Sequence, residues 1–148
     1  MKKFSFPLDR VLSWRQTQTR LEEANLERLT AEFRSLELRD AALQRSVREA
    51  GVKLTSAGFA FPSEIGALEH FRVSANAQCR HFAISRVALE KKIALQTQVV
   101  IQRRRDAHLL ERLRDSRLTQ WRSAAAREVE QQAEESYMAR LARATPFQ

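Results

Sequence analysis

Gly51-Val52-Lys53-Leu54-Thr55-Ser56-Ala57-Gly58-Phe59-Ala60-Phe61-Pro62-Ser63-Glu64-Ile65-Gly66 holds all three glycines of the chain and one of its three prolines. The other prolines, Pro7 and Pro146, stand near the two ends of the sequence. Between these points the two strongest helix breakers are missing. This punctuation predicts an all-α chain: two long helices joined by one turn region and folded as an antiparallel coiled-coil hairpin. The expected bounds are about 7–50 for the first helix, 51–63 for the turn region and about 64–143 for the second. Residues 1–148 then form a single elongated domain whose second helix is the longer, at about 120 Å against about 65 Å.

Working outward from the window, the first helix should open near Pro7 or Leu8, because proline is well tolerated in a first turn. Asp9 places negative charge at the positive end of the helix dipole. From Leu29 a seam runs through Phe33, Leu36, Asp40, Leu43, Val47, Ala50 and Leu54, in alternating steps of four and three. That is a heptad pattern with one polar member, Asp40, read as a register-fixing residue. Upstream the apolar positions are Val11, Trp14 and Leu21, with Gln18 and Asn25 between them, and the three four-residue steps from Leu21 to Phe33 break the heptad. Ser63 is the expected N-cap of the second helix, with Glu64 in its first turn.

The apolar positions of the second helix include Ile65, Leu68, Phe71, Ala75, Cys79, Phe82, Leu89, Ile93, Val100 and Leu110. Pairing about the turn is expected to bring Val47 near Leu68 and Leu8 near the block Arg103, Arg104, Arg105. The remainder, from about Ala107 to Leu141, should overhang. It carries a stripe of Leu118, Trp121, Ala125, Val129, Ala133, Tyr137 and Leu141, mostly four apart and therefore on one drifting face. An apolar stripe without an internal cover implies a partner, a second copy or folding back. Trp121 is the candidate anchor, since tryptophan dominates many interface hot spots. At the turn, Phe59 and Phe61 either close the end of the seam or offer an apolar tip to a partner.

Composition agrees with a long-helix protein: 148 residues, 30% charged, 7% aromatic, mean hydropathy −0.49. The formal net charge of +8 favours an acidic partner surface, and on a helical chain it also serves as a solvated, salt-laced face. A single cysteine, Cys79, excludes an internal disulfide and fits a reducing compartment. The opening lacks the apolar run of a secretory signal, and no stretch is apolar over the ~20 residues that span a bilayer. A cytoplasmic protein, at most peripheral on a membrane, is expected.

The residues suggest no catalysis. The glycines match neither phosphate-binding nor dinucleotide-binding loops. His70, His81 and His108 are far apart, and Cys79 and His81, two apart on a helix, point to different sides. No cofactor and no metal site are expected. Nucleic-acid binding remains an alternative because Arg103, Arg104, Arg105, Arg112, Arg114, Arg117 and Arg122 cluster in one stretch. Interleaved Asp106, Glu111 and Asp115 offset several of these charges, and no sequence-reading module is evident.

The opening set Phe4, Phe6, Leu8, Asp9, Val11, Leu12 and Arg15, in the pattern Phe-x-Phe-x-Leu-Asp-x-Val-Leu-x-x-Arg, resembles the start of the FliJ family of the bacterial flagellar type III export apparatus. The resemblance extends to chain length, a turn in the fifties, Ile65-x-x-Leu68-x-x-Phe71, Leu110-Glu111-Arg112-Leu113 and the Glu/Gln-rich run Arg127–Glu135. It implies a non-enzymatic, stalk-like coiled coil similar to the gamma subunit of rotary ATPases. The implied partners are the flagellar export ATPase (FliI), its regulator FliH, the export gate protein FlhA and the export chaperones. The implied place is the cytoplasmic side of the inner membrane at the flagellar base, with no nucleic acid bound. Candidate partner-binding residues are Phe59, Phe61, Leu68 and Phe71 near the turn, the block Arg103, Arg104, Arg105, and Leu118, Trp121, Val129 and Tyr137 along the overhang. The stalk of a virulence type III secretion system is the alternative within the same architecture.

Overall fold

The computed structural model describes residues 3–58 and 61–144. They form two helices, α1 (Asp9–Ser56) and α2 (Pro62–Ala144), and no strand occurs among the described residues. The all-α hairpin with a longer second helix is the observed architecture. Both helix ends at the turn differ from the sequence expectation. Gly51 lies inside α1, which continues to Ser56, and the connection shrinks to 57–61. One glycine in a long packed helix costs only about 1 kcal/mol, which neighbouring seam residues offset. Gly51 also faces the opposite helix closely, since a Cβ there would lie 3.2 Å from Arg72 Nη2. The glycine that does end α1 is Gly58, whose φ of 73° lies in the left-handed region disfavoured for other residues.

The start of α2 is also set differently. Phe61 occupies the N-cap position, Pro62 is the first helical residue, and the Glu64 carboxylate accepts the Phe61 N–H at 3.0 Å. The Phe61 carbonyl in turn accepts the N–H groups of Glu64 and Ile65. Proline at the first position with a glutamate reaching back from the third is half of a capping box. Ser63, the expected cap, sits one step inside the helix because Pro62 has no N–H to satisfy.

The chain divides into two compact units: Arg20–Gln102, which contains the turn, and Met1–Thr19 with Arg103–Gln148, which contains the two chain ends. In the turn unit every expected seam residue from Leu29 to Leu54 is buried or half-buried. Facing them on α2 are Leu68, Ala75, Cys79, Phe82, Leu89 and Ile93, all at least half-buried. Register is fixed by the Asp40–Arg86 ion pair at 3.9 Å and by Gln96, which donates to the Glu22 backbone carbonyl and carboxylate. Val47 shares a groove with Ala75 and Cys79, not with Leu68. The expected pairing was thus displaced by about two helical turns, because α1 runs past the point where the glycine window placed its end.

In the terminal unit the seam follows different residues. Leu12 and Thr19 are buried and Arg15 is half-buried, whereas Val11, Trp14 and, at the edge of the turn unit, Leu21 are exposed. The steps Leu12–Arg15–Thr19–Glu22–Leu26–Leu29 alternate three and four, so the heptad of α1 is unbroken. The expected break came from tracing apolar side chains where the seam is polar.

Candidate functional site

The terminal unit combines a non-helical segment, an aromatic pair and an uncovered helix end. Before α1, residues Lys3–Leu8 run as a non-helical segment along α2, with Phe6 buried and the Phe4 ring 5.9 Å from Trp121 at a tilted angle. Such a geometry suits the ring quadrupoles. Segment and helix together border an open groove of about 760 Å³ lined by Phe4, Phe6, Leu8, Leu113, Arg117 and Trp121. Leu8 therefore lies at Leu113 and Arg117, about two turns beyond the arginine block where pairing was expected.

Polar links hold α1 to α2 in this unit. Arg15 pairs with Asp106 at 3.3 Å and its guanidinium also lies 5.2 Å from the Trp14 ring centre. Gln16 donates to Glu111 at 2.8 Å, and Arg114 stands 3.9 Å from Asp9. These partners explain why the interleaved acids Asp106 and Glu111 matter: they face α1 and do more than dilute the basic stretch.

This face of α2 stays at least partly covered as far as Ala125. The overhang expected from Ala107 is corrected accordingly: Ala107 is buried, Leu110, Leu118 and Trp121 are half-buried, and continuous exposure begins after Ala125. Beyond it, Val129 is 57% exposed and Tyr137 64%. Of the expected binding residues, only these two lie on an uncovered part of the stripe. Trp121 is an intramolecular anchor for Phe4, which sequence periodicity could not reveal because the covering segment is not helical.

Near the turn, Phe61 is exposed at the N-cap, Leu68 is half-buried in the seam and Phe71 is at the edge of exposure; Phe59 lies outside the described residues. Within the arginine block, Arg103 takes a half-buried seam position, Arg104 is exposed and engaged with a partner, and Arg105 is exposed. The block is thus not one uniform surface.

One polar cluster interrupts the seam of the turn unit. Asp40 Oδ1 and Arg86 Nε are buried without hydrogen-bond partners, so the pair at 3.9 Å is imperfectly satisfied. Burial, with the nearby Asp40 carboxylate adding to it, pushes the Cys79 thiol pKa above the ordinary 9.0. A thiol held protonated is a weak nucleophile and a weak metal ligand. Among the described residues no group of three or more His, Cys, Asp or Glu side chains could hold a metal ion. Among the described residues no helix is long and apolar enough to cross a membrane.

These features define a class: an antiparallel two-helix coiled coil with an aromatic N-terminal clasp and a bare C-terminal extension of the second helix. Comparison of the chain with protein-family models, with curated proteins and with solved structures gives no match.

Proposed function

We propose that this protein is a non-enzymatic stalk and adaptor of flagellar type III export, which promotes assembly and activity of the export ATPase and links it to the export gate and substrate chaperones. The observation that supports this reading most is the uncovered end of α2, where Val129, Tyr137 and Met138 project from a helix with no α1 beside it. A single helix end with exposed apolar side chains can enter a ring of subunits in the way a rotary stalk does. The N-terminal pattern from Phe4 to Arg15 supports the family reading, in which the exposed Phe61 and Phe71 offer an apolar tip to gate or chaperone. In this reading the protein works at the cytoplasmic face of the inner membrane through its partners. Flagellar and virulence stalks are separated by which ATPase responds.

The test is ATP hydrolysis by the purified flagellar export ATPase with and without the chain. Full-length protein should stimulate hydrolysis, and a chain ending at Ala126, which keeps α1, the clasp and Trp121, should not. Equal stimulation by both would remove the role given to the extension. Stimulation by neither would remove the export reading itself.

A further inference from the structure

Two faces of α2 are apolar in the turn unit, and only one is used. The seam takes Ala75, Cys79, Phe82, Leu89 and Ile93. Val73, Ala77, Ile84, Val87 and Leu95 each lie two positions from a seam residue, about 200° around the helix, and so on the opposite side. They are exposed, Val73 by 67%, Ile84 by 69% and Leu95 by 71%. Val73, Ala77, Arg80, Ile84, Val87 and Lys91 follow one another in steps of four and three, which is again a heptad. Such a line on a solvent face has no role in the hairpin itself.

Charge on this face is one-sided. Arg80 and Lys91 stand in the line and Lys92 beside it, and the only acidic residue between Val73 and Leu95 is Glu90, about 100° off the line. Arg80, Lys91 and Lys92 are exposed and make no ion pair among the described residues. The outer side of α1 is different, with Leu38 isolated among charges of both signs, including Arg34, Glu37, Arg39 and Arg45.

We propose that the outer face of α2 from Val73 to Leu95 is a second coiled-coil seam, which takes an acidic amphipathic α-helix of a partner protein. The heptad spacing and the small aliphatic side chains suit the holes and knobs of a helix. Lysine and arginine at and beside the line call for glutamate or aspartate on the incoming helix, which would set partner choice and orientation. A second copy of this chain would bring like charge against like charge. An anionic bilayer is disfavoured because the line has no tryptophan or phenylalanine and Lys91 stands within it. Nucleic acid is disfavoured by the aliphatic character of the line, which offers no stacking ring. This surface goes beyond the export reading and stands or falls separately from it.

The probe is a fluorescent synthetic helix of about four heptads, with leucine and isoleucine at its core positions and glutamate beside them. Its counterpart carries lysine in place of glutamate. Anisotropy titrations of the full chain should show binding of the acidic helix and none of the basic one. Ile84→Glu with Leu95→Glu should weaken binding about tenfold or more, the size of effect expected when two apolar contact positions are replaced by charge. Lys91→Glu with Lys92→Glu should weaken it several-fold and flatten its salt dependence. Leu38→Glu on the outer side of α1 should leave it unchanged. Circular dichroism melts confirm that each variant keeps its fold, which is expected because all five positions are exposed. Equal binding of acidic and basic helices, or full binding by the Ile84/Leu95 variant, overturns the proposal. So does binding of the chain to vesicles of anionic lipid through Ile84 and Leu95 in place of the helix, or concentration-dependent dimerisation that these two substitutions abolish.

Discussion

The two units of this hairpin are held by different chemistry. In the turn unit Leu26, Leu29, Phe33, Leu36, Leu43, Val47 and Leu54 form a mainly aliphatic seam, interrupted by Asp40. In the terminal unit α1 contributes Leu12, Arg15 and Thr19, and the cover over α2 is completed by Phe4 and Phe6 from a non-helical segment. Burial of aliphatic surface is insensitive to salt, whereas partly exposed ion pairs are weakened by it. One sequence thus builds a hydrophobic zipper at the turn and an adjustable clasp at the chain ends.

The contrast can be broken most sharply at Leu29, which is 8% exposed. Leu29→Ala should cost about 2–3 kcal/mol, the lower part of the range for core leucines, since a two-helix seam is only half enclosed. Urea denaturation followed by circular dichroism reads this directly. A loss of less than about 0.5 kcal/mol would mean that the turn unit does not rest on its aliphatic seam.

Phe6→Ala should have a smaller global cost, about 1–2 kcal/mol, because it removes one ring from the clasp and leaves the helical seam intact. Hydrogen exchange distinguishes the two variants: Phe6→Ala should raise exchange around residues 107–125 and leave 29–54 protected. Uniform acceleration over both would show that the clasp supports the turn unit as well.

The smallest effect is expected at Arg15. Its pair with Asp106 is about one-third exposed on both sides. Arg15→Ala should cost no more than about 1 kcal/mol at low salt and less at high salt. A cost that does not change with ionic strength would place the contribution of Arg15 in its stacking on Trp14 and not in its charge.

How much of this was legible in the sequence depends on what each residue signals. The seam from Leu29 to Leu54 was readable because nearly all its members are apolar at heptad spacing. Above Leu26 the same heptad passes through Arg15, Thr19 and Glu22, and periodicity of hydrophobic residues cannot detect a polar seam. It followed Val11, Trp14 and Leu21 instead, and these are exposed. Gly51 looked like punctuation but packs as a helical residue against Arg72, whereas Gly58 acts as a true terminator. The candidate surface was half readable for a related reason. Val129 and Tyr137 project as the stripe implied, but Trp121 is taken by Phe4, and a non-periodic segment leaves no periodic trace.

The capped start of α2 has a consequence for how the chain reaches this structure. Phe61, Pro62 and Glu64 define the helix end from residues within four positions of each other. Partners near the turn, such as Gly51 and Arg72, are close in sequence. Those far from it are not: Arg15 and Asp106 are 91 residues apart, and Gln16 and Glu111 are 95 apart. Closing a loop costs entropy that grows with its length, so early pairing at the turn shortens every later closure. Loop-closure entropy therefore favours pairing that starts at the turn, and the contact of Phe4 with Trp121, among the most distant in sequence, gains most from the pairing that precedes it.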